Sequence, residues 1–413
     1  MGKKETIAKM KGYKQTKLGR IPMEWEVRKL GDLGGFLKGK GILKEQLSEK
    51  GLPCIRYGEI YTIHDFVIKE FHSFISKEVA KESQPIFHND ILFAGSGETL
   101  EDIGKAVAYI GKEEAYAGGD VVILRTGKKN HSEYLSYVLN TDTANRQKRK
   151  LGQGHSVVHI YASDLADLIV PVPPLREQQK IARILSTWDK AIEKTEQLIA
   201  QKQQLKKGLM QQLLTGKVRF KEFKDKWKKV NLRDVAVFEN GKAHENCIVD
   251  DGRYTVVTSK FISTNGIEYR SSDQNLSPLR KGDITMVMSD VPNGKALAKC
   301  FLIHEDDRYT LNQRICSIRP DRINTEFLLY QLNRNKYFMQ FDNGVAQTNL
   351  RKDEVLDCPI DLPTDSEQKR ISKLIGAVNT ELDELNKMLI NLESQKKGLM
   401  QKLLTGEVRV RIN

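Results

Sequence analysis

The sequence predicts an α+β protein with two α/β globular units, each followed by one long helix. The first observation behind this prediction is a repeat, since residues 177–220 align with residues 367–410 over 44 positions without a gap. The second is an apolar heptad pattern inside both copies, which is typical of two helices that supercoil around each other. The third is size, because 413 residues with 39% hydrophobic side chains suffice for several domains with real cores.

The two repeated segments predict a pair of coiled-coil helices. They are most alike at their ends, where KKGLMQQLLTGKVR (residues 206–219) matches KKGLMQKLLTGEVR (residues 396–409). Apolar residues recur at alternating steps of three and four, although Thr195, Lys202 and Lys206 interrupt the seam of the first copy. The apolar residues of the first copy are Ile181, Leu185, Trp188, Ile192, Ile199, Leu209 and Leu213. In the second copy they are Ile371, Ile375, Val378, Leu382, Leu385, Leu389, Leu392, Leu399 and Leu403. A helix of about 40 residues is roughly 60 Å long, so each helix is predicted to be a spacer.

The ends of these helices carry start and stop signals. The pattern Thr364-x-x-Glu367 predicts a capping box at the start of the second helix. Gly216 and Gly406 stand where a helix that ends in a left-handed residue needs glycine. Lys396 breaks the apolar seam of the second copy once. Both copies are therefore predicted to begin and end at equivalent positions.

The repeat extends into the globular units. A tryptophan-led set recurs 202 positions later, pairing Trp25, Leu30, Asp32, Phe36, Gly39 and Lys40 with Trp227, Leu232, Asp234, Phe238, Gly241 and Lys242. DVVILR (residues 120–125) and RICSIR (residues 314–319) predict matching strands, whereas SEYLSYVLN (132–140) and TEFLLYQLN (325–333) predict matching helices. The segments between these shared points differ almost completely. Two frames with unlike loops favour two recognition surfaces for different targets, although drift after duplication gives the same pattern.

Charge and composition indicate the class of partner. The net charge of +13 and the pI near 9.3 favour a polyanion, and nucleic acid is the commonest one. The five cysteines include no CxxC pair, and neither a signal peptide nor a membrane-spanning run is evident. We therefore expect the protein to lie in the reducing cytoplasm. Residues 34–40 fit GxxxxGK, but Gly41 stands where a phosphate-binding loop needs Ser or Thr. An adenine methyltransferase would need a catalytic tetrapeptide of the Asn/Asp-Pro-Pro-aromatic kind, and the sequence contains neither NPP nor DPP. We therefore expect no catalytic residue, no cofactor and no metal site.

The chain resembles the specificity subunit of type I restriction–modification systems. The resemblance rests on PLREQQKIARIL and LPTDSEQKRISKLI at the helix starts, on the two KKGLMQ-LLTG ends, and on the openings WEVRKLGDL and WKKVNLRDV. It implies two target recognition domains that each read half of a split double-stranded DNA site. It also implies an antiparallel, pseudo-twofold coiled coil that sets the gap between the half-sites and docks two adenine methyltransferase subunits. Endonuclease/translocase subunits join them in the full complex.

This resemblance divides the chain into four predicted parts. These are a first recognition domain at 1–175, a spacer helix at 176–216, a second recognition domain at 217–363, and a spacer helix with tail at 364–413. The specificity subunit of a fused nuclease–methyltransferase system has the same layout and remains an alternative. A coiled-coil scaffold that does not read DNA sequence is another.

Candidate DNA contacts are basic or polar residues in the unlike segments. Lysine and arginine suit phosphates, while amides, hydroxyls and arginine suit base edges. The candidates are Arg56, Tyr57, Ser96, Lys148, Arg149, Gln153, His155, Ser259, Lys260, Lys295, Asn343 and Gln347. Arg56 and Tyr57 are expected about where Ser259 and Lys260 lie in the second half.

Overall fold

The computed structural model describes residues 12–100, 103–152, 158–292, 294–342 and 344–412. The chain forms two compact units. The first unit comprises Met1–Thr195 with Met388–Asn413, and the second comprises Glu196–Lys387. Within the described ranges, no helix combines the length and apolar character needed to cross a bilayer.

The first unit is organised around a five-stranded sheet. Its strands follow one another in space as Gly34–Lys38, Val121–Thr126, Asp90–Ala94, Ala106–Tyr109 and Val67–Ile68, and only the last pair is parallel. A four-stranded sheet contains Ser73–Ile75, Leu52–Ile55, Ala115–Ala117 and Gln84–Ile86. Two-stranded pairs join Tyr13–Thr16 to Gly19–Pro22, Glu26–Lys29 to Ile169–Val172, and Ser96–Gly97 to Val158–His159. Residues 91–94 and 121–124 of the two central strands are apolar and buried, because both faces of the sheet are covered.

Short helices cover the sheets of the first unit. They are Tyr57–Thr62, Lys77–Glu82, Ser132–Leu139, Asp142–Leu151 and Ala162–Ala166, with 3₁₀ turns at Leu30–Asp32 and Lys44–Gln46. Ser132–Leu139 is almost entirely buried, since it lies between the main sheet and the long helices.

The second unit repeats this plan. One antiparallel sheet has the order Ala236–Asn240, Ile315–Pro320, Ile284–Val287 and Cys300–Leu302. A second sheet has the order Ile248–Val249, Arg270–Ser272, Tyr254–Val257 and Tyr309–Leu311. Two-stranded pairs join Lys228–Asn231 to Pro359–Leu362 and Ser289–Asp290 to Thr348–Asn349. The helices are Ser259–Ser263, Thr325–Leu332, Lys336–Met339 and Lys352–Leu356, with 3₁₀ turns at Leu232–Asp234 and Glu245–Cys247. The strands and helices predicted from the repeated sequence blocks are thus confirmed.

The two long helices are Leu175–Leu213 and Asp365–Leu404. Inside the first unit, Ile181 near the start of the first helix shares a core with Leu403 and Leu404 at the end of the second. Inside the second unit, Leu213 at the end of the first helix shares a core with Ile371 at the start of the second. The pairing is therefore antiparallel in each unit, and every predicted seam residue is buried or half-buried. The α+β fold class with a coiled coil is confirmed.

A buried polar cluster replaces apolar packing at Lys396. Its ammonium group pairs with the Asp189 carboxylate and lies 4.2 Å from the centre of the Phe66 ring. Tyr137 donates a hydrogen bond to the same carboxylate, and burial together with Asp189 raises the pKa of Tyr137. The second unit has a neutral pair instead, in which Asn379 Nδ2 donates to Tyr330 Oη at 3.2 Å. A single polar pair in an apolar seam favours one register of the helices.

Gly216 and Gly406 follow the helix ends with φ of +66° and +72°, in the left-handed region. Gly406 has a second reason to lack a side chain, because a Cβ there would lie 2.4 Å from the Cδ of Pro22. The prediction of glycine-terminated helices is confirmed at both positions.

Candidate nucleic-acid interface

A Trp–Glu–Arg cluster joins the globular part of the first unit to its helices. Trp25 Nε1 donates to Glu177 Oε2 at 3.0 Å. Arg409 donates to both carboxylate oxygens of Glu177, from Nε at 2.8 Å and from Nη2 at 3.0 Å. Glu177 is fully buried, and its hydrogen bonds raise the pKa of Arg409. One carboxylate therefore connects the start of the globule, the first turn of one long helix and the segment after the other.

The second unit contains the same Trp–Glu–Arg cluster. Trp227 Nε1 donates to Glu367 Oε2 at 3.0 Å, and Arg219 donates to Oε1 and Oε2 at 2.9 and 2.8 Å. The predicted capping box is therefore wrong, because the Glu367 carboxylate is turned inward to Trp227 and Arg219. A buried carboxylate needs such charged and N–H partners to offset its desolvation.

A glutamine beside each glutamate fixes the helix start. Gln178 accepts from the backbone N–H of His131 at 2.9 Å and donates to the Pro173 carbonyl at 2.8 Å. Gln368 makes the corresponding bonds to Asn324 and Pro363, at 2.7 and 2.9 Å. The globular units are thus attached to their helices by the same hydrogen bonds, which makes the frame of each unit alike.

The unlike segments carry the predicted DNA contacts, and Arg56 lies in one of them. It precedes the helix Tyr57–Thr62 and is half-buried, as is Tyr57. In the second unit Thr258 precedes the helix Ser259–Ser263, so Arg56 corresponds to Thr258. The expected match of Arg56 with Ser259 is therefore one residue out of register.

Lys260 and Lys295 are exposed side chains of the second unit. Lys260 Nζ lies 2.5 Å from Glu268 Oε2, so part of its charge is already compensated. Ser259 is also exposed, at the first position of its helix. These residues remain predictions as DNA contacts, as do Arg56 and Tyr57.

The basic run of the first unit lies on the helix Asp142–Leu151. Arg149 is exposed together with Arg146 and Lys150. Lys148 is 1% exposed, and its Nζ donates to the Gly104 carbonyl at 2.7 Å. Lys148 is therefore wrong as a predicted phosphate ligand, because its side chain points into the core. Its spacing of four from buried Ala144 is the sequence signal that could have shown this.

Ser96 is buried and supports a neighbouring side chain. Its Oγ lies 2.9 Å from Nδ1 of His159, and only 2% of Ser96 is exposed. Ser96 is therefore corrected from a direct DNA contact to a residue that orients His159, which the sequence reasoning had missed. Gln347 is exposed and donates to Ser289 Oγ at 2.7 Å. Gln153, His155 and Asn343 lie outside the described residues.

The matching Trp–Glu–Arg clusters and antiparallel helices show that the chain is an internally duplicated, basic protein with two α/β units. A family model described as the type I restriction modification DNA specificity domain matches residues 22–203 and 224–394. The matches cover most of the chain, and the chain therefore belongs to this family. The resemblance predicted from the repeated segments is confirmed.

Named relatives match nearly all or about half of the chain. The Type I restriction enzyme MjaVIII specificity subunit of Methanocaldococcus jannaschii is 25% identical over 435 residues, covering 99% of this chain and 97% of that protein. The Type I restriction enzyme EcoKI specificity subunit of Escherichia coli is 27% identical over 218 residues, covering 51% of this chain and 46% of that protein. The S subunit of a type I restriction–modification system from M. genitalium has a similar fold, with a TM-score of 0.61, 17% identity, and coverage of 94% of this chain and 97% of that chain.

Proposed function

We propose that this chain is the non-catalytic subunit that gives a restriction–modification complex its DNA sequence specificity. Residues 1–175 and 217–363 would act as two target recognition domains, each reading one half of a bipartite double-stranded site. One observation carries this proposal: the two units share the same strands, helices and Trp–Glu–Arg cluster, whereas the segments between these shared parts differ in sequence. A repeated frame with two different surfaces suits a target with two different halves.

The long helices would set the gap and hold the partner proteins. Leu175–Leu213 and Asp365–Leu404 are 39 and 40 residues long, so each spans roughly 60 Å at 1.5 Å per residue. Half-sites one turn of DNA apart are separated by ~34–36 Å, which rods of this length can bridge. Because the helices repeat the same sequence, they would offer equivalent docking surfaces to two methyltransferase subunits. Endonuclease subunits would complete the restricting form.

The proposal is tested by selecting bound sequences from random double-stranded DNA with the chain assembled with its methyltransferase partner. We expect two short conserved blocks separated by a gap of fixed length and no conserved base. Binding that is indifferent to sequence would favour a pure scaffold instead. A specificity subunit of a fused nuclease–methyltransferase system would also select a bipartite site, and the neighbouring genes distinguish that alternative.

Arg149→Ala should weaken binding of all DNA sequences alike. Arg149 is exposed on a basic helix face, so it is a proposed phosphate ligand. The slope of log K against log salt is negative, and losing one phosphate contact reduces its magnitude by ~0.9. Fluorescence anisotropy across a salt series measures this slope. Arg149→Lys is the matched control and should retain the slope, because it keeps the charge. An unchanged slope in Arg149→Ala would remove Arg149 from the interface.

A further inference from the structure

The same sheet corner is built in both units. In the first unit the N–H of Gly95 donates to the Asp120 carbonyl at 2.8 Å. In the second unit the N–H of Met288 donates to the Arg314 carbonyl at 3.0 Å. Asp120 and Arg314 have φ of +58° and +69°, which is an uncommon conformation for residues other than glycine. The two units therefore share an unusual turn at this point.

Neighbouring strands complete this corner with matching hydrogen bonds. Ile160 N–H donates to the Gly95 carbonyl at 2.9 Å, and Leu350 N–H donates to the Met288 carbonyl at 2.8 Å. The residue after the strand Gly34–Lys38 is Gly39, and its N–H donates to the Val121 carbonyl at 2.8 Å. The residue after the strand Ala236–Asn240 is Gly241, and its N–H donates to the Ile315 carbonyl at 3.0 Å. We call this arrangement the sheet corner, formed by residues 38–39, 95–96, 120–121 and 159–160 in the first unit. In the second unit it consists of residues 240–241, 288–289, 314–315 and 349–350.

The side chains on the two sheet corners differ in chemistry. Lys38, Asp120 and His159 in the first unit stand where the second unit has Asn240, Arg314 and Asn349. Both sheet corners contain a serine that hydrogen-bonds to one of these side chains. Ser96 bonds to His159, and Ser289 bonds to Asn349. The backbone and its supporting serine are alike, whereas the groups that reach the surface are not.

In the second unit the sheet corner lines an open cavity of about 220 Å³. Its polar lining comes from Asn240, Ser289, Arg314 and Asn349. Ser289 Oγ donates to Asn349 Oδ1 and accepts from Gln347 Nε2 at 2.7 Å. These bonds occupy the carbonyl side of the Asn349 amide and hold its side chain in place.

Two side chains at this cavity, Arg314 and Asn349, offer donors that are unpaired among the described residues. Arg314 is exposed, and in the part of the chain that the structure describes its guanidinium has no hydrogen bond or ion pair. The same holds, within that part, for Nδ2 of Asn349. A guanine presents two acceptors, N7 and O6, in the major groove, whereas adenine presents one acceptor and one donor. The Arg314 guanidinium, with the Asn349 N–H beside it, therefore matches the two acceptors of guanine.

We propose that Arg314 and Asn349 read a guanine in the half-site of the second recognition domain, which rests on the proposed function of the chain. Asp120, at the position of Arg314, gives the first sheet corner an acceptor, so the first domain reads a different base pattern. The two domains thus differ in specificity through side-chain exchange on one shared backbone.

The test is the same random-DNA selection, applied to complexes that contain Arg314→Ala, Asn349→Ala or Asp120→Ala. In Arg314→Ala we expect one guanine of one half-site to lose its preference by about 10- to 100-fold, the usual range for one bidentate base contact. Asn349→Ala should relax the same position. Asp120→Ala, the matched control at the equivalent site, should alter only the other half-site.

Each alternative outcome has a definite meaning. If Arg314→Ala selects the unchanged guanine, or loses affinity for all sequences equally with a lower salt slope, the inference is overturned and any contact is to phosphate. If the half-site read by the first domain persists in the same selection, the Arg314→Ala variant is folded and binds DNA. If the unaltered complex selects no bipartite site, the proposed function itself fails.

Discussion

Arg409→Ala should destabilise the first unit by about 3 kcal/mol. The substitution leaves the Glu177 carboxylate, whose side chain is 1% exposed, with Trp25 as its remaining side-chain partner in the described structure. Removing one partner of a buried ion pair costs about 3–5 kcal/mol, and the low end applies because the Arg409 side chain is 37% exposed. Urea unfolding followed by circular dichroism measures the loss.

Two variants control this experiment. Arg411→Ala removes an exposed arginine of the same tail and should change stability by less than about 0.5 kcal/mol. The double variant Glu177→Gln with Arg409→Met should be more stable than Arg409→Ala, because no unpaired charge stays buried. If Arg409→Ala unfolds at the same urea concentration as the unaltered chain, the cluster does not hold the tail to the globule.

Inserting seven residues into each long helix should lengthen the gap between half-sites without changing their letters. The insertions belong in residues 193–203 and 383–393, which are equivalent stretches of the repeat. One heptad keeps the apolar seam in phase and adds about 10 Å to each helix. This corresponds to at most about three base pairs of 3.4 Å each. Selection from random DNA reads the new gap directly.

The matched control places the same seven residues between Lys128 and Lys129, in an exposed turn of the first unit. It should leave both the gap and the half-sites unchanged. A gap of unaltered length in the helix variant would show that the helices do not set the spacing. New letters in either half-site would show that the insertion disturbs the reading surfaces.

The parts of the fold that the sequence predicted are those with local patterns. The seam residues could be found because heptads repeat within one helix, and the strand Val121–Thr126 because its segment is rich in β-branched residues and alternates. The glycines after both helices were predictable for the same reason, since Gly216 and Gly406 follow the last apolar residue closely.

The parts that the sequence did not predict depend on residues far apart in the chain. Glu177 and Arg409 are separated by 232 positions, so their pairing was hidden although both lie in the repeated segments. The sheet corner was missed for a similar reason, because Arg314 and Asn349 are ordinary exposed polar residues until the backbone brings them to one cavity. Lys148 was mistaken for a surface residue because a basic run does not reveal which of its members faces inward.

The most direct test is a genome-wide map of methylated adenines in cells that express this chain with the adenine methyltransferase subunit proposed as its partner. We expect one motif with two dissimilar specific blocks and a gap of constant length. The Arg314→Ala form should relax one guanine in only one of those blocks. A single continuous motif, or modification without sequence preference, would contradict the claim that two like frames carry two different reading surfaces.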